Sequence, residues 1–164
     1  MSRTLTQDLH QQFQRTAGMV RGVIQEFDED QWRAGISWFL IPARLSLHLI
    51  ESLEVYFTPK SDYEDKGRFP FGRGYGDVPW WEIPDEKLPS QEDILAYLGE
   101  IEDLIAKTFD SLDDTAMSAA FTDLDFSGQT LAGHYAYALR HTMHHQGQLS
   151  ALAIHHGHSG GDWE

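Results

Sequence analysis

The chain has 164 residues, 41% of them hydrophobic and 23% charged, with a formal net charge of −14 at pH 7 and no cysteine. This composition excludes disulfides, thiolate metal sites and a cysteine nucleophile, and the few scattered Lys and Arg side chains argue against binding to nucleic acids or anionic membranes. No apolar run approaches the roughly 20 residues that span a bilayer, and the first residues lack the apolar centre of a secretory signal, so we expect a single folded domain over residues 1–164 in the cytoplasm.

Apolar residues spaced three or four apart predict two amphipathic helices in the first third of the chain. The stripe of the first helix is formed by Leu5, Leu9, Phe13, Ala17, Val20, Ile24 and Phe27. The segment 28–32 is expected to end it. A second helix should begin near Ile41, with Pro42 in its first turn, where the missing N–H costs no hydrogen bond. It should end before Thr58.

Two further helices are predicted in the second half of the chain. Ser90 with Asp93 three residues later resembles a capping box at the start of the third helix. Its buried stripe is Ile94, Leu98, Ile101 and Ile105. After a polar stretch, Thr130 can cap a fourth helix that runs to about His156, where the next residue is a glycine that can end it.

Four helices with little strand signal predict an all-α four-helix bundle. The long connection 58–89 leaves room for a crossover, so the second and third helices can run parallel. Its "GRGYG" segment, 72–76, lacks the Lys-Ser/Thr pair that follows in phosphate-binding loops. The crossover is predicted either as a lid over a site or as an ordinary loop anchored by its tryptophans. The residues that favour a lid are Arg68, Arg73, Trp80 and Trp81.

Histidines carry the main chemical signal. In "LRHTMHHQGQL", 139–149, His141 and His145 are four residues apart, so both rings can reach one metal ion from the same side of the fourth helix. His144 lies about 100° further round the helix and cannot easily join them. Their stripe faces the core, where neutral imidazoles still need hydrogen-bond partners. His48, on the apolar face of the second helix, could supply a third ligand; satisfied core histidines are the alternative.

Four more residues are candidates for supporting roles. Glu51, one turn after His48, is the best acidic group for proton transfer, with a solvated or ion-paired surface carboxylate as the alternative. Gln148 could hydrogen-bond a ligand or the substrate. His134, two turns before the histidine pair, could contact the ligands or the substrate, or be a capping or solvated side chain. Gly147 lowers helix stability by about 1 kcal/mol relative to Ala, which is expected where a backbone or a substrate approaches closely.

The segment 45–57, "LSLHLIESLEVYF", followed far downstream by "HTMHHQGQL", resembles the DinB-like superfamily of metal-dependent enzymes. The resemblance covers most of the chain and implies a four-helix bundle with a long crossover between its second and third helices. It also implies a divalent metal held by one histidine of the second helix and the two of an HxxxH motif. Those positions are His48, His141 and His145 here.

Three imidazoles leave an open position on the metal, an arrangement typical of catalytic sites. Imidazole ligands suit several divalent metals, and we expect Zn or Ni first, then Fe or Mn. The resemblance implies thiol-dependent S-transfer or isomerisation. Metal-assisted hydrolysis is the second type of reaction expected for such a metal-dependent enzyme. A small-molecule substrate, such as a low-molecular-weight thiol, and a homodimer are the expected partners. The alternative is a non-catalytic, stress-related binding protein whose metal site is structural or vestigial. His155, His156 and His158 lie in a polar tail that could bind nickel adventitiously.

Overall fold

Four long helices form the bundle that the apolar stripes predict. The computed structural model describes residues 2–59, 80–124 and 127–163. Its long helices are α1 (Thr4–Glu26), α3 (Pro42–Phe57), α4 (Gln91–Ser111) and α6 (Leu131–His155), and its short ones are α2 (Glu29–Trp32) and α5 (Asp114–Met117). A 3-10 turn, Asp85–Lys87, precedes α4. Both α1 and α3 pack on α4 and on α6, so the all-α bundle prediction is confirmed.

Helices α3 and α4 run parallel, as a crossover between them requires. Tyr97, near the start of α4, donates a hydrogen bond to Glu54 of α3. Further along both helices, the rings of Phe57 and Phe109 lie 5.8 Å apart. Because both sequence numbers increase together along the contact, the two helices share a direction. Most of the crossover, including the "GRGYG" segment with Arg68 and Arg73, lies outside the described residues.

The helix ends follow the predicted capping signals. Ser90 and Asp93 form the capping box at the start of α4. The Thr130 hydroxyl accepts a hydrogen bond from the backbone N–H of Gly133 at 3.2 Å and so caps α6. Gly157 follows α6 with a φ of 91°, which glycine adopts without steric cost. These local signals fix where α4 begins and where α6 begins and ends.

The short helices were not predicted. Segment 28–32, expected only to end α1, forms α2, which has its own capping box between Asp28 and Gln31. Its Trp32 is buried and donates a hydrogen bond to the Pro89 carbonyl at 2.8 Å. A four-residue helix is too short to show a periodic apolar stripe, so only the capping residues could have revealed it.

The polar tail after α6 is folded back onto the end of α1. The backbone N–H groups of Gly160 and Gly161 donate to the Glu26 carboxylate at 2.8 and 3.1 Å. His158 Nε2 lies 2.7 Å from the Gln31 side-chain oxygen. The last described residues therefore belong to the packed structure.

None of the helices in the described part of the chain combines the length and the apolar composition that crossing a membrane requires.

Candidate metal centre

Helices α3 and α6 bring three histidines together. One ring nitrogen each from His48, His141 and His145 lies within 4.8 Å of the others. The facing Nε2 atoms of His141 and His145 are 3.2 Å apart. The His48 ring centroid is 4.6 Å from that of His145 and 5.4 Å from that of His141. Three nitrogen donors thus converge at the α3–α6 interface, as their positions in the sequence predicted.

The packing of the two helices produces this geometry. Along the contact between α3 and α6, His48 lies beside His145 and Tyr56 lies beside His134, so the two helices are antiparallel. His141 and His145 are one turn apart on α6, and His48 of α3 contacts both rings.

His48 is half-buried, whereas its chain neighbours Leu47 and Leu49 are fully buried. His48 was expected deep in an apolar face. Instead it is half-buried, which places it at the edge of that face.

Burial keeps the imidazoles neutral. Desolvation, followed by repulsion from His145 and His141, lowers the pKa of His48 to about 3. Desolvation, with His145 as the next cause, lowers the pKa of His141 to about 4. A neutral imidazole has a free nitrogen lone pair, and this is the form that binds metals. Desolvation also lowers the pKa of His145, so the cluster presents three neutral ligands at neutral pH.

Gln148 fixes the tautomer of His145. The Gln148 side-chain oxygen lies 2.7 Å from His145 Nδ1 and can only accept, so Nδ1–H donates. His145 Nε2 is then unprotonated and points at His141 Nε2. At 3.2 Å the two nitrogens are bridged either by a proton on His141 Nε2 or by a cation that both bind. This donor set fits a divalent cation and matches the partner that metal-binding histidines usually have on their second nitrogen.

Aromatic rings surround the three histidines. The indole of Trp80 lies over His48 with ring centroids 4.3 Å apart. Phe39 contacts His48 edge-on at 6.2 Å, and Tyr56 contacts His141 edge-on at 5.5 Å. Phe39 and Tyr56 were missed at the sequence level, because an aromatic residue beside a helix predicts core packing first.

Comparison with known families places the chain in one of them. The family model of the DinB superfamily matches residues 12–149, which include all three histidines. The chain belongs to the DinB superfamily. Comparisons with curated proteins and with solved structures found no match. The resemblance inferred from the α3 and α6 motifs is thereby confirmed.

Glu51 of this DinB-superfamily chain is a buried carboxyl group. It is only 3% exposed, so the alternative of a solvated surface carboxylate is wrong. Its Oε2 atom has no hydrogen-bond partner in the described part of the chain. Burial, with repulsion from Glu54 as the smaller cause, raises the pKa of Glu51 to about 8. Near neutral pH this group can therefore exchange a proton.

His134 lies outside the cluster and joins two helices. It is 1% exposed, which overturns the solvated alternative. Its Nε2–H donates to the Tyr56 carbonyl at 2.8 Å, and its Nδ1 lies 2.9 Å from the Ser127 hydroxyl. It thereby holds the backbone of Tyr56, whose ring contacts His141. His134 also lines a cavity of about 540 Å³, and a role in substrate contact stays a prediction.

Gly147 has no other backbone packed against it in the described residues. It lies exposed on α6, and a Cβ atom added there would meet nothing within 4 Å in the described part of the chain. The expectation of a neighbouring backbone at this position is therefore wrong for those residues.

Proposed function

We propose that this DinB-superfamily protein is a metalloenzyme that holds one divalent cation on His48, His141 and His145 and acts on a small molecule. The observation that carries the proposal is the convergence of three neutral imidazole nitrogens at a half-buried place. Zn or Ni is the first candidate because imidazole suits both. When bound, the cation would act as a Lewis acid and lower the pKa of a thiol or water that reaches it.

The residues of the chain hold and orient the ligands. His145 is locked in one tautomer by Gln148, and His48 is fixed beneath the Trp80 indole. Because packing sets both rings, the ligands are ordered before a cation or a substrate arrives. Such preorganisation lowers the free energy that the reaction step would otherwise require.

Glu51 is proposed as the proton carrier. It follows His48 by less than one turn of α3 and has an unpartnered oxygen. A pKa of about 8 lets a carboxyl group accept a proton and return it near neutral pH, which suits general acid–base catalysis. In a transfer reaction its ionised form, the minor form below about pH 8, would take the proton that a thiol loses as its sulfur attacks.

Thiol transfer to a carbon electrophile is the first reaction to test, and hydrolysis of an activated ester is the second. With glutathione or cysteine as the thiol and 1-chloro-2,4-dinitrobenzene as the acceptor, a C–S bond forms and a C–Cl bond breaks. Chloride leaves and the thiol proton is transferred to a base. Product formation is followed in the metal-loaded protein, the chelated protein and the Glu51→Gln variant.

We expect chelation to abolish turnover while the far-ultraviolet circular dichroism stays unchanged. Glu51→Gln should keep the metal and lose about 100-fold or more of the rate. Unfolding on chelation would instead indicate a structural metal. No metal-dependent turnover with either type of substrate would contradict an enzymatic role in these two reactions.

A further inference from the structure

Four aromatic side chains form a continuous row whose middle lies beside the histidine cluster, here called the aromatic rim: Trp38, Phe39, Trp80 and Trp81. Phe39 lies 5.7 Å from Trp38 and 5.6 Å from Trp80 between ring centroids. Trp80 and Trp81 are 5.4 Å apart and perpendicular. The two inner rings, Phe39 and Trp80, both contact His48.

The two outer rings are exposed to solvent. Trp38 is 66% and Trp81 51% exposed. Large exposed indoles next to a polar site indicate a binding surface, because leaving them in water forgoes the free energy of burying them. The exposed rings lie at the two ends of the row, whereas the inner rings, Phe39 and Trp80, are half-buried.

The backbone holds the rim in place from both sides. The Arg44 guanidinium donates to the carbonyls of Trp80 and Ile83 and pairs with Asp85, each at 2.6 Å. Arg44 is 3% exposed, so this clamp is buried beneath the rim. A binding surface fixed in this way loses little conformational entropy when a ligand arrives.

On the other side, the loop that carries Trp38 and Phe39 closes tightly. The Ile36 N–H donates to the Leu40 carbonyl at 3.3 Å. A Cβ atom at Gly35 would lie 2.2 Å from the Leu40 carbonyl oxygen. Only glycine fits this closure, which sets the direction of the rim's first two rings.

Size and charge indicate the occupant. At about 250 Å² for a whole indole side chain, the exposed fractions amount to roughly 300 Å², well below the roughly 800 Å² per partner of a stable protein interface. Arg44, the cation beneath the rim, is paired with Asp85, so it offers no free positive charge to an anionic ring. The rim suits an uncharged aromatic group.

We propose that the aromatic rim binds an uncharged aromatic group of the substrate and holds it beside the three-histidine centre. The role in catalysis rests on the proposed function, but the binding does not. The rim then determines specificity: substrates that carry an aryl group are bound, and small polar analogues are not.

The test is calorimetric titration with 2-naphthol, which is uncharged at pH 7 and has no thiol. Wild type is compared with Trp38→Ala, Trp81→Ala and the conservative Trp38→Phe. Trp163→Ala is the matched control, because Trp163 is 80% exposed and belongs to no described ring contact of the rim. His141→Ala tests independence from the metal, since His141 contacts Tyr56 and Tyr137 rather than the rim.

We expect each rim alanine to raise the Kd for 2-naphthol at least about tenfold, a change of about 1.4 kcal/mol. Trp38→Phe should stay within about threefold of wild type, and Trp163→Ala and His141→Ala should match it. Binding that persists in a protein without metal would leave the rim assignment intact even if the proposed function fails. No binding to wild type, or rim alanine variants that both bind 2-naphthol as tightly as wild type, would overturn the proposal. Sedimentation that shows a dimer lost in those variants, with 2-naphthol binding unchanged, would overturn it as well and assign the surface to self-association.

Discussion

At the scale of single residues, burial around the centre raises the pKa of an acid and lowers the pKa of a base. It lowers the pKa of His48 to about 3 and raises the pKa of Glu51 to about 8. In both cases the low dielectric disfavours the charged form. The result is a set of neutral groups at neutral pH, in which nitrogen lone pairs and a carboxyl proton are available together.

The raised pKa of Glu51 makes stability depend on pH. The folded state keeps its proton up to about pH 8, whereas the unfolded chain loses it near the ordinary value of 4.5. The folded state thus binds more protons in this window, and this contribution to the free energy of unfolding falls as pH rises, by up to about 1.4 kcal/mol per pH unit. Glu51→Gln should remove the slope and be the more stable protein at pH 8.

Chemical denaturation of both proteins at several pH values between 4.5 and 9, in a chelating buffer, measures the difference. The histidines contribute equally to the pH dependence of the free energy of unfolding in both proteins, so their contribution cancels in the difference. Parallel curves for the wild type and Glu51→Gln would show that the carboxyl group ionises normally.

Gln148 should control metal affinity through His145. Gln148→Leu removes the acceptor of the His145 Nδ1–H bond, so the ring can rotate or protonate its metal-facing nitrogen. We expect metal affinity to fall about 10- to 100-fold, measured by competition with a chromophoric chelator. Gln148→Glu keeps an acceptor and should bind at least as tightly as wild type. An unchanged affinity in Gln148→Leu would mean that the hydrogen bond does not orient the ligand.

At the scale of elements, the sequence predicts helices well where caps and periodicity agree. Ser90, Thr130 and Pro42 mark real helix starts because their effects are local. The position of His141 and His145 on one helix face could be predicted for the same reason, since their spacing of four residues is about one helical turn. The short helices α2 and α5 were not predicted, because four residues are too few to show a helical repeat of apolar positions.

What could not be predicted from the sequence depends on contacts between elements. The pairing of His48 with α6 followed only once the bundle was assumed. The burial of Glu51 and the position of Phe39 depend on neighbours distant in the chain. The neighbouring backbone expected at Gly147 is absent from the described residues, because a helix glycine can be present without any packing reason; an approach of substrate at this position stays a prediction.

Helix α6 should therefore gain stability from Gly147→Ala. The position is exposed and has room for a methyl group, so the substitution should add about 0.5–1 kcal/mol to the free energy of unfolding. Gly99→Ala on α4 is the matched control, since its Cβ would also meet nothing within 4 Å in the described residues. Loss of turnover in Gly147→Ala but not in Gly99→Ala would instead show that substrate passes close to Gly147.

At the scale of the whole molecule, the bundle is closed at one end by its own tail. Glu26 of α1 is held by Gly160 and Gly161, and His158 contacts Gln31. Truncating the chain before His155 would remove these contacts together with the tail histidines. Measurements of metal binding should therefore use substitutions in the tail, not a truncation.

The central claim is that His48, His141 and His145 hold one metal ion. The most direct measurement is elemental analysis of untagged protein with His155→Gln and His156→Gln, beside the same protein with His48→Ala and His141→Ala added. Both are reconstituted in turn with Zn, Ni, Mn and Fe and then desalted. We predict about one metal ion per chain in the first protein and none in the second; no metal in the first, or equal metal in both, would contradict the assignment.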